Sequence, residues 1–364
     1  TGCIDAQKSQ MIYAFGGHRK NKLIVTFGEQ KAKELYDEYS FFDKEVVYYP
    51  SKDVLFYQSD IRGNLLTAER IRALKAIHEQ ERVTLVTTFD ALMNTMAPIE
   101  KMWENVLTLE QRQLLDLKEI QAALIRMGYE KEYQVQTMGQ FSVRGGILDV
   151  FPLTEENPIR IELWGDEIDT IRYFDCESQK SIENTDRVSI YPAAELVLSD
   201  EEKARGIEKL KAEAKRVSDK LRKQMKTEEA HRVSVMADEL TEEWGELSMY
   251  AGMDAFLSYF FDERVGLLDY FNPSDSLIFF DELTRCAEQG KLTETEFSES
   301  MKQRLAMGYI LPGQMNGLFT EKEIVAKLEK YSCIALGALD NKANGLHQLG
   351  SYGIHCQSVS PYNN

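Results

Sequence analysis

Short apolar runs alternate with amphipathic stretches over the first hundred residues. An apolar run at 22–27 is followed by helical spacing over 29–39, and a second apolar run covers 45–49. Ile71, Leu74 and Ile77 then recur at helical spacing, which predicts a helix over 68–79 with Thr67 as its N-cap. A third apolar run occupies 82–88, with a short helix over 89–96 behind it. Strand and helix alternating in this way predict a parallel, doubly wound sheet.

The rhythm changes near Asn105. The stretch 115–127 is amphipathic and stops at Gly128, a residue suited to a helix C-cap. Strands are predicted over 132–138, 146–151, 159–164, 170–175 and 188–191, separated by turn chemistry such as Glu155-Glu156-Asn157-Pro158 and Gly165-Asp166. Short, closely spaced strands behind one helix predict an α+β insert, mostly antiparallel. Ser199 and Glu202 mark a capping box, and helical spacing continues toward Trp244. Apolar runs return at 276–282, 332–336 and 354–358. The expected domains are 1–104, the first part of an α/β sheet; 105–195, the insert; 196–345, the second part of the sheet; and 346–364, a last strand and the start of a connection. No internal repeat is visible.

The chain has 364 residues and a formal net charge of −17. That excess of acid excludes an indiscriminate binder of nucleic acid or anionic membrane, though not a local basic site. Residues 201–226 hold ten basic and five acidic side chains. Their plainest reading is a solvated helix face with pairs such as Lys209 with Glu213 and Asp219 with Lys223; the alternative is a phosphate-contacting helix. Hydrophobic residues at 43% suffice for a sizeable core. Cys3, Cys176, Cys286, Cys333 and Cys356 show no C-x-x-C spacing, so neither a zinc site nor a disulfide framework is expected, and a reducing cytoplasm is the natural compartment. His18, His78, His231, His347 and His355 show no metal-ligand spacing, and no apolar run is long enough for a membrane span. The chain opens on Thr1, inside what reads as a loop, and is expected to be a piece of a longer protein.

Two separated segments look like halves of a nucleotide site. Gly2, Lys8 and Ser9 fit the phosphate-binding pattern G-x-x-x-x-G-K-[ST], but Gln7 stands where the second glycine belongs. A side chain there crowds the nest of backbone N–H groups that would hold phosphate. The run 277–280 ends in Asp281-Glu282, where a phosphate-loop enzyme would hold Mg²⁺ and position water. Leu283 and Thr284 follow, so no helicase box is completed.

Within the insert, Gln140 to Pro152 reads QFSVRGGILDVFP and 159–172 reads IRIELWGDEIDTIR, followed by Phe174-Asp175 and Ser178-Gln179-Lys180-Ser181. This run closely resembles the N-terminal, UvrB-like region of the bacterial transcription-repair coupling factors (Mfd). Stretches at 85–96, 267–270, 277–282 and 351–364 extend the resemblance over essentially the whole chain. It implies a degenerate P-loop, helicase-like fold whose insert binds UvrA, the damage-recognition ATPase of excision repair. The contact roles fall by resemblance on Arg144, Arg160, Glu162 and Trp164, where the family often has Phe in place of the tryptophan. Lys131 is a weaker candidate. The physical pattern agrees: Arg144 precedes Gly145-Gly146, and Arg160, Glu162 and Trp164 alternate on one strand and so share one face. Ile161 and Leu163 would face the core. Asp166, Glu167 and Asp169 read as a solvated turn and strand start.

The resemblance further implies a non-motor module that recruits UvrA to RNA polymerase stalled at DNA damage. No cofactor and no enzymatic activity are expected of this fragment. ATP, Mg, DNA and RNA polymerase would be engaged by regions C-terminal to it, and a far C-terminal domain would mask the UvrA-binding face. UvrB itself, a helicase subunit, shares the insert and is the alternative, with residual ATPase or DNA binding. Against it stand Gln7-Lys8-Ser9 and the short passage from Tyr48-Tyr49-Pro50 to the next helix, which leaves no room for UvrB's tyrosine-rich hairpin.

Overall fold

The computed structural model describes residues 2–17, 19–52, 63–246, 253–338 and 346–354. Helix α1 (Asp5–Gly16) leads into β1 (Asn21–Thr26), α2 (Glu29–Tyr39) and β2 (Val47–Tyr49). Then come α3 (Gly63–Glu79), β3 (Val83–Thr88), α4 (Phe89–Met93) and α5 (Ile99–Trp103). Because α3 is already formed at Gly63, Thr67 lies inside it and is not an N-cap; Leu65 and Leu66 carry no signal that would delay the helix. Helix α4 stops at Met93 because Asn94 and Met96 bridge to Leu318 and Val265. Most of the passage between Pro50 and the next helix lies outside the described residues.

The insert contains β4 (Leu107–Glu110), α6 (Leu117–Arg126), β5 (Glu130–Lys131), β6 (Gln140–Arg144), β7 (Ile147–Val150), β8 (Ile159–Trp164), β9 (Glu167–Phe174), β10 (Ser181–Thr185) and β11 (Arg187–Ile190). Asp116 caps α6 by accepting from the backbone N–H of Lys118 and Glu119. The strand expected over 132–138 does not form. Gln140 Oε1 accepts the N–H groups of Gln136 and Thr137 and holds that stretch in a turn. The strands β4, β5, β6 and β10 were not anticipated.

Beyond the insert lie α7 (Asp200–Lys223), α8 (Thr227–Glu246), α9 (Leu257–Phe260), β12 (Ser276–Asp281), α10 (Leu283–Ala306), α11 (Glu321–Leu328) and β13 (Ser332–Leu336). The capping box at Ser199 and Glu202 is present. Met225, at a φ of 62°, ends the first helix, so the long helical stretch is two helices. The strand expected at 354–358 lies outside the described residues from residue 355 onward.

Five strands form one all-parallel sheet in the order β13-β12-β1-β3-β2. Its residues are apolar on both faces, as a sheet covered on both sides requires. Leu23, Val25, Leu85, Ile278 and Phe280 join the core that also takes Ile71 and Leu74 of α3 and Cys286 of α10. Ile24, Val86 and Phe279 face the other way, against Ile12 of α1 and Leu35 of α2. The sheet is interrupted after β3 and resumes at β12. The insert is a second sheet, β10-β9-β8-β7-β6-β5, antiparallel except for the β5–β6 pair. Helices α7, α8 and α9 bury a core of their own around Leu210, Ala230, Val233 and Phe256.

A buried ionic cluster fastens the end of the insert to the parallel sheet. Arg70 on α3 donates from Nε to Glu195 Oε1 at 2.7 Å and from Nη2 to Oε2 at 3.0 Å, a bidentate pair. Its Nη1 donates to the Pro50 carbonyl, and its plane lies 4.1 Å from the Tyr49 ring centre. Lys52 bridges Glu195 at 3.1 Å and Asp254 at 2.7 Å. Lys75 pairs with Glu155, and the Tyr191 hydroxyl donates to Glu79, adding two further links from α3 to the insert.

Candidate functional site

The outer face of the insert sheet is built by two hairpins, each with a two-residue turn. Gly145, at a φ of +61°, turns β6 into β7, a conformation that a residue with a Cβ adopts only under strain. Gly165-Asp166 turns β8 into β9. Strand alternation then sorts the side chains. Phe141, Leu148, Ile159, Ile161 and Ile171 are buried in the insert's core, with Leu163 packed against them. Ser142, Asp149, Arg160, Arg172 and Asn184 stand in register across five strands on the outer face. Arg144, Ile147, Glu162 and Thr170 form the next row. Arg160, Glu162 and Trp164 thus share one face, as their spacing predicts.

Asp149 organises this face. It is only 1% exposed, yet it accepts from Arg160 Nε at 2.7 Å, Arg160 Nη2 at 2.8 Å and Arg144 Nη2 at 3.0 Å. These hydrogen bonds hold Arg160 further above its ordinary pKa. Arg160 also donates to Gln179 and stacks 4.3 Å from the Phe174 ring centre. Glu162 is paired with Arg172 and accepts from Thr170. Two guanidinium groups over one carboxylate leave a surplus positive charge beside a neutral pair. Trp164, by contrast, is 85% exposed, an unusual position for so large an apolar side chain. The sequence alone did not single out Asp149, Arg172 or Gln179. The alternation of Asp149 with Leu148 and Val150 on β7 was the available signal, since it puts a carboxylate beside Arg160 once strand order is known. Lys131 sits on edge strand β5, three strands from β8, and donates to Gln121; it is not brought to the arginines.

The residues of the two nucleotide half-motifs do converge, but around an ion pair. Gln7, Lys8 and Ser9 lie on α1, not in a loop. Gly2 donates its N–H to Ala338 O. Lys8 is 1% exposed, and its ammonium is paired with Asp281, with Glu282 at 3.0 Å and with Asp5 at 2.8 Å. Burial disfavours that charge, but the carboxylates outweigh it and raise the lysine's pKa. Asp281 also accepts from Thr26 Oγ1 at 2.9 Å, and Ser9 donates to Glu38. A phosphate or Mg-nucleotide does not fit this set: Lys8 lies on a helix rather than in a loop, and three carboxylates surround its ammonium.

The basic stretch 201–226 forms α7 and the turn after it. Lys209 pairs with Asp262 rather than Glu213, and Asp219 with Arg222 rather than Lys223. Glu213 is taken by tertiary donors, the Tyr259 hydroxyl and the Gly313 N–H. His78 stacks on Trp103 and contacts the Tyr191 hydroxyl through Nδ1 at 2.7 Å. Among the described residues no group of His, Cys, Asp and Glu could hold a metal ion, and no helix is long and apolar enough to cross a membrane.

Residues 107–196 match the family model described as the UvrB interaction domain. The chain is 29% identical over 310 residues to the transcription-repair-coupling factor of Bacillus subtilis, covering 84% of this chain and 26% of that protein. It is 28% identical over 305 residues to that of Staphylococcus haemolyticus, with 81% and 25% covered, and 28% identical over 325 residues to that of Staphylococcus aureus strain MRSA252, with 86% and 27% covered. The chain therefore spans about a quarter of the length of the curated relatives it matches. The resemblance read from the motif at 140–181 is borne out.

Proposed function

We propose that this chain, a carrier of a UvrB interaction domain and similar to transcription-repair-coupling factors, recruits UvrA through the outer face of its insert. The observation that carries this reading is a coincidence. The segment matching the interaction domain is also the one that bears a fixed, outward set of arginines with an exposed tryptophan. Arg144 and Arg160 take an acidic group of UvrA, Glu162 sets the charge pattern beside them, and Trp164 is the apolar anchor.

On the same reading, Gly2, Gln7, Lys8, Ser9, Asp281 and Glu282 are the remains of a nucleotide site in a helicase-like fold. The domain limits expected from the sequence go with it. The chain then works as a non-motor module in the cytoplasm. RNA polymerase stalled at DNA damage, the DNA itself, ATP and Mg are engaged by other parts of a longer protein. A C-terminal domain of that protein covers the face until engagement, so the longer protein binds UvrA more weakly than this chain does; equal affinity would remove that part of the reading.

Calorimetric titration of the chain with UvrA tests the central claim. Arg144→Ala combined with Arg160→Ala is expected to cost ~2–5 kcal/mol of binding free energy. Unchanged binding by that variant overturns the reading.

A further inference from the structure

The outer face has a third row, of which the roles above use only Trp164. Trp164 is registered with Glu167 across the β8–β9 hairpin, and Glu167 forms a bridge with Leu114 on its other side. Leu114 lies between β4 and α6, in a segment stitched to β9 by three backbone hydrogen bonds. Arg112 N donates to Ile168 O at 2.8 Å, Ile168 N to Gln113 O at 2.9 Å and Leu115 N to Asp166 O at 2.7 Å. Ile168 is fully buried, so Glu167 before it points outward, and Leu114, bridged to Glu167, points the same way. Leu114 is 75% exposed although Leu115 beside it is buried. A leucine and a tryptophan thus stand on either side of one carboxylate. The row lies four residues along β8 from Arg160, about 13 Å at the rise of a strand.

The geometry points to Leu114 as a second apolar contact of the interaction face, working with Trp164. The inference rests on the UvrA-binding reading and deepens it. The surface that docks presents an acidic group to Arg144 and Arg160. About 13 Å away it presents an apolar side chain that settles between Leu114 and Trp164. Two features favour that occupant. The row continues the same face of the same sheet as the arginine row, and the backbone ties to β9 mean that ordering Leu114 costs little on binding. The segment also lies inside the residues that match the interaction domain.

Titration with UvrA is the test, using Leu114→Ala, Leu114→Asp, Leu114→Met, Trp164→Ala and the double arginine variant. Leu114→Ala is expected to weaken binding about tenfold, Leu114→Asp more, and Leu114→Met little, since methionine keeps the apolar area. Leu114→Ala and Trp164→Ala together are expected to cost less than the product of their separate effects, because one apolar group of the partner serves both. Thermal midpoints of the Leu114 variants should match the parent, as the side chain is exposed. Unchanged affinity in Leu114→Asp, with binding lost in the arginine variant, overturns this inference alone. Unchanged affinity in the arginine variant overturns the reading on which it rests.

Discussion

Replacing Glu195 by Gln tests how the interaction segment is fastened to the parallel sheet. The Glu195 carboxyl is buried, which by itself pushes its pKa up. Arg70 and Lys52 outweigh that and hold it at about 2, against an ordinary 4.5. A depressed carboxyl stabilises the fold above its unfolded pKa, and that contribution is lost as pH falls toward the folded value. At ~1.4 kcal/mol for each tenfold change, the depression contributes about 3 kcal/mol at pH 7 and about 2 kcal/mol at pH 3.5. Urea unfolding of the parent and of Glu195→Gln, followed by circular dichroism at several pH values between 7 and 3.5, gives the difference directly. The variant is expected to be less stable by about 3 kcal/mol at pH 7, with the gap holding to about pH 5 and narrowing below it. A gap that is absent at pH 7, or constant down to pH 3.5, refutes the reasoning.

Lys8→Ala leaves Asp281 buried without its ammonium partner and should destabilise the fold by ~3–5 kcal/mol in urea titrations, while millimolar Mg-ATP should leave the parent's thermal midpoint where it is. A nucleotide-induced rise that depends on Lys8 would contradict the geometry at α1. Asp149→Ala should weaken UvrA binding although Asp149 is buried, because both arginines lose their anchor; affinity equal to the parent would show that the guanidinium groups hold their places without it. Trp164→Ala should lower UvrA affinity at least about tenfold and leave the unfolding midpoint nearly unmoved, as suits an exposed anchor. Gly145→Ala forces a Cβ onto a left-handed backbone and is expected to cost about 1 kcal/mol or more in stability by the same urea assay.

The parallel strands were legible because each is a continuous apolar run, and a run buried on both faces needs no knowledge of its neighbours to be recognised. The insert strands were harder. Gln140–Arg144 and Ser181–Thr185 carry polar residues at many positions, and what makes them strands is their partners in register. The stretch 132–138 has alternation of its own, but side-chain acceptance by Gln140 wins locally. That Arg160, Glu162 and Trp164 share one face of β8 follows from a period of two and was readable. That a carboxylate eleven residues away on the neighbouring strand holds Arg160 was not. Nor was the enclosure of Lys8, since its partners Asp281 and Glu282 come from the far end of the fold. Motif spacing singled out Lys8, Asp281 and Glu282, while their pairing into one buried ion cluster depends on the fold.

The interruption of the parallel sheet sets an order of events during synthesis. Thr26 and Asp281, joined across β1 and β12, are 255 residues apart, whereas the arginine–aspartate contacts of the insert span eleven residues or fewer. Closing a long loop is entropically slow, and a ribosome releases the near partners first. The insert's hairpins can therefore close while β12 has yet to be made. On a nascent chain the outer face of the insert can form before the sheet that carries it, and the Arg70–Glu195 clasp is available to bind the two before the sheet is closed.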